Sequence, residues 1–377
     1  VTWDITGMAA IANIGASPEE IFAALCAGQE SRTPLKAFDP EKYRAAYAYE
    51  IDDRPAGGDI PRRATRWLTT VVRQAAADAG LGEDLSQIPV LVGTTMREQR
   101  SLELWWRDGV DVALEDLHFG TALKAAFGAS TTYTFANACS ATLYALGLAT
   151  DMIEAGTADT VVVAGTDAAT ESGFGTLDRV QNGIPDALRP FDATHKGMLM
   201  GEGAAAVVVQ RAGTGNGPVH ARVRGVGMNC DAHHATAPDP DGITRAVLDA
   251  HRRAGVRARD IDLVMLHGSG TPLNDAAEAG VLRRIFDGAG SGPRMTAIKA
   301  MTGHTLGGSG LLSLVMAVLA MKEGTVPPVL GLTEPIPEAA GLGLVRGVPA
   351  AGPLAIAQID AFGFGGINAV AIVEAAR

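Results

Sequence analysis

Three cysteines in 377 residues are too few for a disulfide framework, and Cys26, Cys139 and Cys230 match no metal-ligand spacing. That excludes the small disulfide-stapled and zinc-finger classes. Aromatic residues are scarce, at 5%, whereas glycine is abundant, with 46 copies; small-residue helix packing and close backbone approaches therefore build the interior. Long apolar runs are missing too. The longest, Leu311–Met321 with Ser313 inside it, is too short to span a bilayer and reads as a buried core helix, which argues against a membrane role. No stretch pairs a basic start with the apolar core of a signal peptide, and free thiols suit a reducing cytoplasm. Positive charge is the minority sign, 31 basic against 42 acidic side chains for a net charge of −11, so a general role in binding nucleic acid is excluded.

What is present is an α/β alternation. Val90–Gly93, Thr160–Ala164, Ala204–Gln210, Leu263–Leu266 and Ala369–Val373 read as strands. Pro18–Ala27, Arg66–Ala79, Ala141–Ala155, Ile243–Ala254, Asp275–Phe286 and Gly308–Lys322 read as helices. Two of these helices resemble each other: Ala141–Thr157 ends in Glu-Ala-Gly-Thr and Gly307–Thr325 in Lys-Glu-Gly-Thr. Each follows a turn with a chemically capable side chain, Cys139 in one and His304 in the other. Two copies of one unit, split near Thr214–Gly217, would bring both helix starts toward a shared centre. Pro55–Gly58 and Gly213–Gly217 read as surface loops.

Cys139 stands in Phe135-Ala-Asn-Ala-Cys-Ser-Ala-Thr142, where an apolar segment turns through small residues into a helix. A thiol at a helix start faces free backbone N–H groups and the positive end of the dipole, which favour the thiolate. A free cysteine on its own is more often a small buried hydrophobe. His267 ends the strand Leu263–Leu266 ahead of Gly268-Ser-Gly-Thr271, and His304 follows Gly303. Either histidine alone would be read as structural; two of them in Gly-rich turns shift that reading. Lys299 closes another apolar strand, where a lysine is costly unless paired, and Glu278 and Asp275 are available for the pairing.

These motifs identify the chain as resembling the β-ketoacyl-acyl-carrier-protein synthases, condensing enzymes of the thiolase fold. The resemblance runs through Asn137–Ala141, Arg189-Pro-Phe-Asp192, Gly201-Glu-Gly-Ala204, His267–Pro272, Lys299 to His304, and Phe362-Gly-Phe-Gly-Gly-Ile-Asn368, in family order over nearly the whole chain. It implies two duplicated α/β halves, 1–214 with the nucleophile and 215–377 with both histidines, in a layered αβαβα architecture. Cys139 would take an acyl group from a carrier-protein phosphopantetheine thioester. His267 and His304 would hold the extender thioester oxygen during decarboxylation, and the N–H groups of Cys139 and Phe364 would form an oxyanion hole. Lys299 would pair with Glu278, with Asp275 beside it. Phe364 would gate the site from its glycine loop, and Thr271, Ser269 and Thr236 would bind the pantetheine arm. The resemblance implies no metal and no resident cofactor, with an acyl carrier protein as partner and a homodimer, or a heterodimer with a chain-length-factor-like subunit.

Several positions depart from the family pattern: Ser269 where threonine is common, Asn274 before Asp275, His195-Lys196, and the segment Thr95–Phe127 with its Trp105-Trp106 pair. That segment bears on acyl chain, starter and pairing, none of which the motifs specify. Basic residues gather at Arg62-Arg63 and at Arg252-Arg253 with Arg257 and Arg259; Arg62, Arg63 and Arg189 fall where the family meets its acidic carrier protein. Two other readings stay open. One is a synthase-like acyltransferase or thioester hydrolase without condensation, the other a non-catalytic partner subunit, against which the intact Cys139–His267–His304 set argues.

Overall fold

Strands buried on both faces read as near-continuous runs of Val and Ala, and the core of this chain is built from them. The computed structural model describes residues 2–376 apart from 57, 216 and 289–291, so parts of both anticipated Gly-rich loops lie outside the described residues. The N-terminal strands are β1 (Trp3–Ala12), β2 (Val90–Gly93), β3 (Thr132–Phe135), β4 (Thr160–Asp167) and β5 (Gly203–Arg211). The C-terminal strands are β6 (Ala221–Cys230), β7 (Leu263–Met265), β8 (Arg294–Thr296), β9 (Ile356–Gly363) and β10 (Ile367–Ala375). All ten join one sheet in the order β8-β7-β9-β10-β6-β1-β5-β4-β2-β3. Outward from the middle, the sequence is 1-5-4-2-3 one way and 6-10-9-7-8 the other. The topology of the first set is repeated by the second. The sets meet along a short antiparallel seam, Trp3–Ile5 against Ala221–Val223, which makes one sheet of what the layered expectation treats as two.

The helices used below are α1 (Arg63–Asp78), α2 (Gln99–Asp108), α3 (Ala141–Glu154), α4 (Glu171–Val180), α5 (Pro240–Ala254), α6 (Pro272–Phe286) and α7 (Ser309–Glu323). Helix α1 covers the outer face of β1, β5 and β4, and α5 covers β6 and β10. Helices α3 and α7 lie between the two strand sets and touch strands of both, which completes the αβαβα layering. Every residue of α7 from Ser309 to Met321 is buried. A helix apolar on all sides has to be enclosed, and each large side chain so enclosed contributes about 2 kcal/mol relative to exposure. This is the apolar run that the sequence marks as a core helix. Both central helices end on a left-handed glycine, Gly156 and Gly324.

The strands β1, β6 and β9 and the helices α2 and α4 were not expected, and Thr132–Phe135, read from the sequence only as an apolar segment, is the strand β3. β1 (WDITGMAAIA) and β6 (ARVRGVGMNC) carry Gly, Ala and charged residues that carry no strand preference of their own, and tertiary pairing supplies it. Lys299 begins a one-turn helix, Lys299–Thr302, instead of ending a strand.

Arg63 corrects an expectation. It is 2% exposed and cannot lie on a docking surface. Its guanidinium forks onto both oxygens of Glu202 at 2.8 and 2.9 Å, reaches Asp53 Oδ1, and lies over the Trp67 ring. Arg54 Nη2 also binds Glu202, at 2.9 Å. Planar bidentate geometry is what allows such charges inside a protein. The Glu202 main chain is tied to Tyr49, and its neighbour Gly201 donates to His304 O, so this network holds one catalytic candidate from behind. By contrast Arg62 is exposed and paired with Asp116. Replacing Arg63 with Met takes the bidentate partner from the buried Glu202 carboxylate and leaves it Arg54 alone, and is expected to cost about 3–5 kcal/mol, read as a lowered urea midpoint. Arg62→Met should cost under about 1 kcal/mol by the same measurement.

Candidate active site

The two central helices begin in the same way. After β3 the chain turns at Ala138, a non-glycine residue at φ 48°, makes one tight turn through Cys139 and Ser140, and enters α3. In the second copy Leu306, at φ 49°, leads through Gly307 and Gly308 into α7. Position for position, Gly307 stands where Cys139 stands. A Cβ on Gly307 would lie 2.4 Å from the Thr94 carbonyl carbon, so this second elbow has no room for a side chain. Thr142 joins the elbows: its hydroxyl donates to Gly307 O at 2.8 Å and accepts from Leu311 N at 3.1 Å.

His304 sits two residues before Leu306, pinned by its main chain to Leu199 and Gly201. Its Nδ1 accepts the Leu306 N–H at 3.1 Å, so the ring proton of the neutral form is on Nε2, a buried donor without a partner. His267 follows β7, and its ring lies edge-on to His304 with centroids 5.4 Å apart. Ligating atoms of Cys139, His267 and His304 all fall within 4.8 Å of one another. The trio has the composition of a metal site, but the Leu306 N–H keeps His304 Nε2 in its donor form, which offers no lone pair to a cation. The arrangement therefore fits an oxygen atom that accepts hydrogen bonds.

Burial sets the protonation states. Desolvation, then the Lys299 charge, holds both histidines well below their usual range, so they are neutral at physiological pH. Burial also pushes the Cys139 thiol up to about 11, against the opposing pull of Lys299 and the Phe364 N–H. The expectation of a resting thiolate is thus corrected: burial outweighs the helix start and holds the group toward the thiol form.

Lys299 and Glu278 are not in direct contact either. Lys299 Nζ donates to the His267 carbonyl, while Glu278 accepts the N–H groups of His267 and Gly268 at 2.7 and 2.9 Å. They grip His267 by its main chain from two sides and interact through their charges alone. Desolvation lowers Lys299 and raises Glu278, each partly offset by the other. Asn274 Nδ2 donates to Glu278 at 3.1 Å, and His195 Nδ1 lies 3.0 Å from Asp275 Oδ2, so two of the departures noted in the sequence feed this acidic pair. Asp275 in turn holds Gly270 N and Phe191 N, which fixes the turn carrying Ser269 and Thr271.

Cys139 and His267 open into a chamber of about 30 Å³, room for one water, lined also by Ser269, Thr271, Thr236 and Phe364. A vestibule of about 240 Å³ lies outside it, and Phe364, Thr236 and Thr271 line both. Phe364 is half-exposed between them on a loop whose Gly365 and Gly366 take positive φ. The Asp231 carboxylate would lie 1.9 Å from a Cβ on Gly366, so only glycine fits there.

No residue of Thr95–Phe127 lines this chamber. Trp105 and Trp106 are exposed on α2. Arg189 lies partly exposed and forks onto Asp186; Arg252, Arg253, Arg257 and Arg259 are matched by Asp249 and Asp260. The sequence reading missed Asp167, whose buried carboxylate accepts from Thr94, Thr95, Met96 and Gly307 and is pushed up to about 6 by burial. It also missed Asn368, whose amide holds Asp231 and the Gly366 carbonyl. A carboxylate closing the apolar strand β4 was a usable signal for the first; the second had none beyond its place in the glycine motif.

Comparison with known proteins gives one family. Residues 4–214 match the model described as beta-ketoacyl synthase, N-terminal domain, and 220–333 that of the C-terminal domain. The chain is 29% identical to 3-oxoacyl-[acyl-carrier-protein] synthase 2 of Coxiella burnetii over 98% of this chain and 97% of that protein. It is 31% identical to the tetracenomycin polyketide synthase ketoacyl synthase alpha subunit of Streptomyces glaucescens, over 89% and 88%. Among solved structures it resembles the ishigamide ketosynthase/chain length factor, with TM-score 0.89, 29% identity, and coverage of 100% and 99%.

A buried thiol ionises as pH rises, and below its pKa the reactive fraction grows about tenfold per pH unit. Iodoacetamide alkylation of Cys139, followed by mass spectrometry, should therefore accelerate without a plateau from pH 6 to 10. Lys299→Met should be slower below about pH 8, where Lys299 carries the charge that favours the thiolate, and the two rates should converge above it. A plateau below pH 8 in the unmodified chain would mean a resting thiolate.

Proposed function

The chain belongs to the β-ketoacyl synthase family, and from that premise we propose that it performs decarboxylative Claisen condensation. An acyl group moves from a carrier-protein thioester to Cys139, and a malonyl-type extender then yields a β-ketoacyl thioester, in fatty-acid or polyketide assembly. The observation that carries this reading is a pair of uncharged buried imidazoles beside a buried thiol, one of them fixed as an unpartnered donor.

In the first step the thioester oxygen lies toward the N–H groups of Cys139 and Phe364. Sγ bonds to the acyl carbon, the carrier sulfur leaves, and the thiol proton goes with it. In the second, His267 and His304 donate to the extender's thioester oxygen. The bond to the carboxyl carbon breaks, CO2 departs, and the electron pair becomes an enolate held by those two donors. The enolate carbon attacks the acyl thioester, and Sγ leaves and regains a proton. A donor aimed at developing charge is worth about 3 kcal/mol, and burial keeps both imidazoles neutral so that they donate hydrogen bonds without giving up a proton.

Lys299, Glu278 and Asp275 act in this reading as positioning residues for His267 and its turn. Phe364 is the gate, and Ser269, Thr271 and Thr236 bind the pantetheine arm, which arrives on the carrier protein; no resident cofactor takes part. Cys139 belongs to a half spanning 1–214 and both histidines to one spanning 215–377. Arg62 and Arg189 remain the docking positions for an acidic carrier protein. Dimerisation uses the open edge of β3, where Tyr133 is exposed, and the partner is a second copy or a chain-length-factor-like subunit. The setting is cytoplasmic, where Cys139 stays reduced.

Incubation with acyl- and malonyl-carrier protein should release CO2 and give a product two carbons longer. Free acid, or acyl transfer without CO2, would instead favour the hydrolase or acyltransferase alternative. His304→Ala should still load acyl groups on Cys139 while condensing about 10²–10³-fold more slowly, because its donor acts only on the enolate. Cys139→Ala should abolish loading, measured by intact mass.

A further inference from the structure

The Cys139 chamber has no room for an acyl chain as it stands, so a chain carried on Sγ has to occupy space that some side chain vacates. A second cavity, of about 10 Å³, lies under α4 between Phe174, Leu177, Leu199 and Ala45. Among the described residues, Met198 alone lines both spaces.

We infer that Met198 is the movable wall that determines which acyl chain Cys139 accepts, and that the chain it admits is a plain hydrocarbon running beneath α4. The inference rests on the condensing-enzyme reading above. Its main chain is held still. Gln181 accepts the Met198 N–H at 2.5 Å and donates to the Met198 carbonyl at 3.2 Å, so the backbone stays in place while the side chain turns. Methionine, unbranched with three rotatable bonds, repacks more readily than any other apolar residue of its size. Beyond it the wall belongs to a small apolar cluster of Phe38, Ala45, Phe174, Leu199 and Leu306, separate from the main core. Leu306 also provides the N–H that orients His304, so the cluster borders the reacting centre directly.

The chemistry of the lining selects the chain type. Its two polar side chains are committed: Asp178 accepts from Arg44 N and Ala45 N, and Gln181 is bound to Met198. An oxygenated chain would bring carbonyl groups into a space where the second Gln181 amide N–H is the one side-chain donor left, which costs most of them the hydrogen bonds they make in water.

The test measures loading of Cys139 by intact mass, from acetyl-, octanoyl-, 7-oxo-octanoyl- and dodecanoyl-carrier protein. Met198→Ala should raise the dodecanoyl-to-acetyl rate ratio about tenfold, and Met198→Phe should lower it about tenfold, the range that a few methylenes in a pocket command. Octanoyl should load faster than 7-oxo-octanoyl in the unmodified chain. Ratios unchanged in both variants would overturn the role of Met198, and equal loading of the oxygenated chain would overturn the hydrocarbon assignment. No loading from any donor by the unmodified chain would instead refute the condensing-enzyme reading on which both depend. Opposite shifts in two variants cannot come from a common folding defect.

Discussion

The hydroxyl of Thr142 is the point on which this molecule closes. It donates into the elbow before α7 and accepts from that helix's own backbone, so the starts of α3 and α7 are fixed within one hydrogen bond of each other. Close approach there depends on glycine. A Cβ on Gly93, Gly165 or Gly310 would meet Thr142, or the residues beside it, at 2.2 to 2.8 Å. With those positions bare, two helices from separate halves share one centre. One delivers Cys139 and the other the turn that holds His304. The abundance of glycine and shortage of aromatics in the composition thus reflect how closely two buried helices must pack.

The same enclosure governs the chemistry. A thiol held un-ionised and imidazoles held neutral look poorly suited to catalysis if activity is equated with charge. Every charge that develops in the proposed reaction is transient, however, and a dry site strengthens the hydrogen bonds that receive it. Lys299 is the cation close by at neutral pH, and it is turned toward a backbone carbonyl. From there it favours anions at Cys139 and opposes protonation of the histidines without occupying the chamber. Glu278 and Asp275 offset it from behind while binding backbone N–H groups, and the reacting groups are left with few ways to move.

Much of this was legible in the sequence because the site residues sit at element boundaries, where turn chemistry leaves a mark. Cys139, His267 and His304 were found from the small residues around them, and the repeated Gly-Thr ending of α3 and α7 pointed to the duplication that the strand order displays. What escaped has a common physical cause. Strands β1 and β6 owe their state to neighbours distant in sequence. Arg63 lies in a run of arginines that looks like a surface patch, and only the position of Glu202, 139 residues away, shows that it is buried. The protonation of Cys139 was misjudged because a helix start is a local feature, whereas desolvation depends on everything packed around it.

The chamber beside Cys139 and the Phe364 loop that walls it also bear on the timing of the proposed reaction. At about 30 Å³, and sharing its wall with the vestibule, the chamber has no room for two pantetheine arms at once. In the proposed reaction the first carrier therefore departs as a free thiol before the second enters, and the acyl-enzyme is a state with its own lifetime. Ping-pong kinetics would follow from that volume in the proposed reaction, and the order of the two substrates would then be a property of shape.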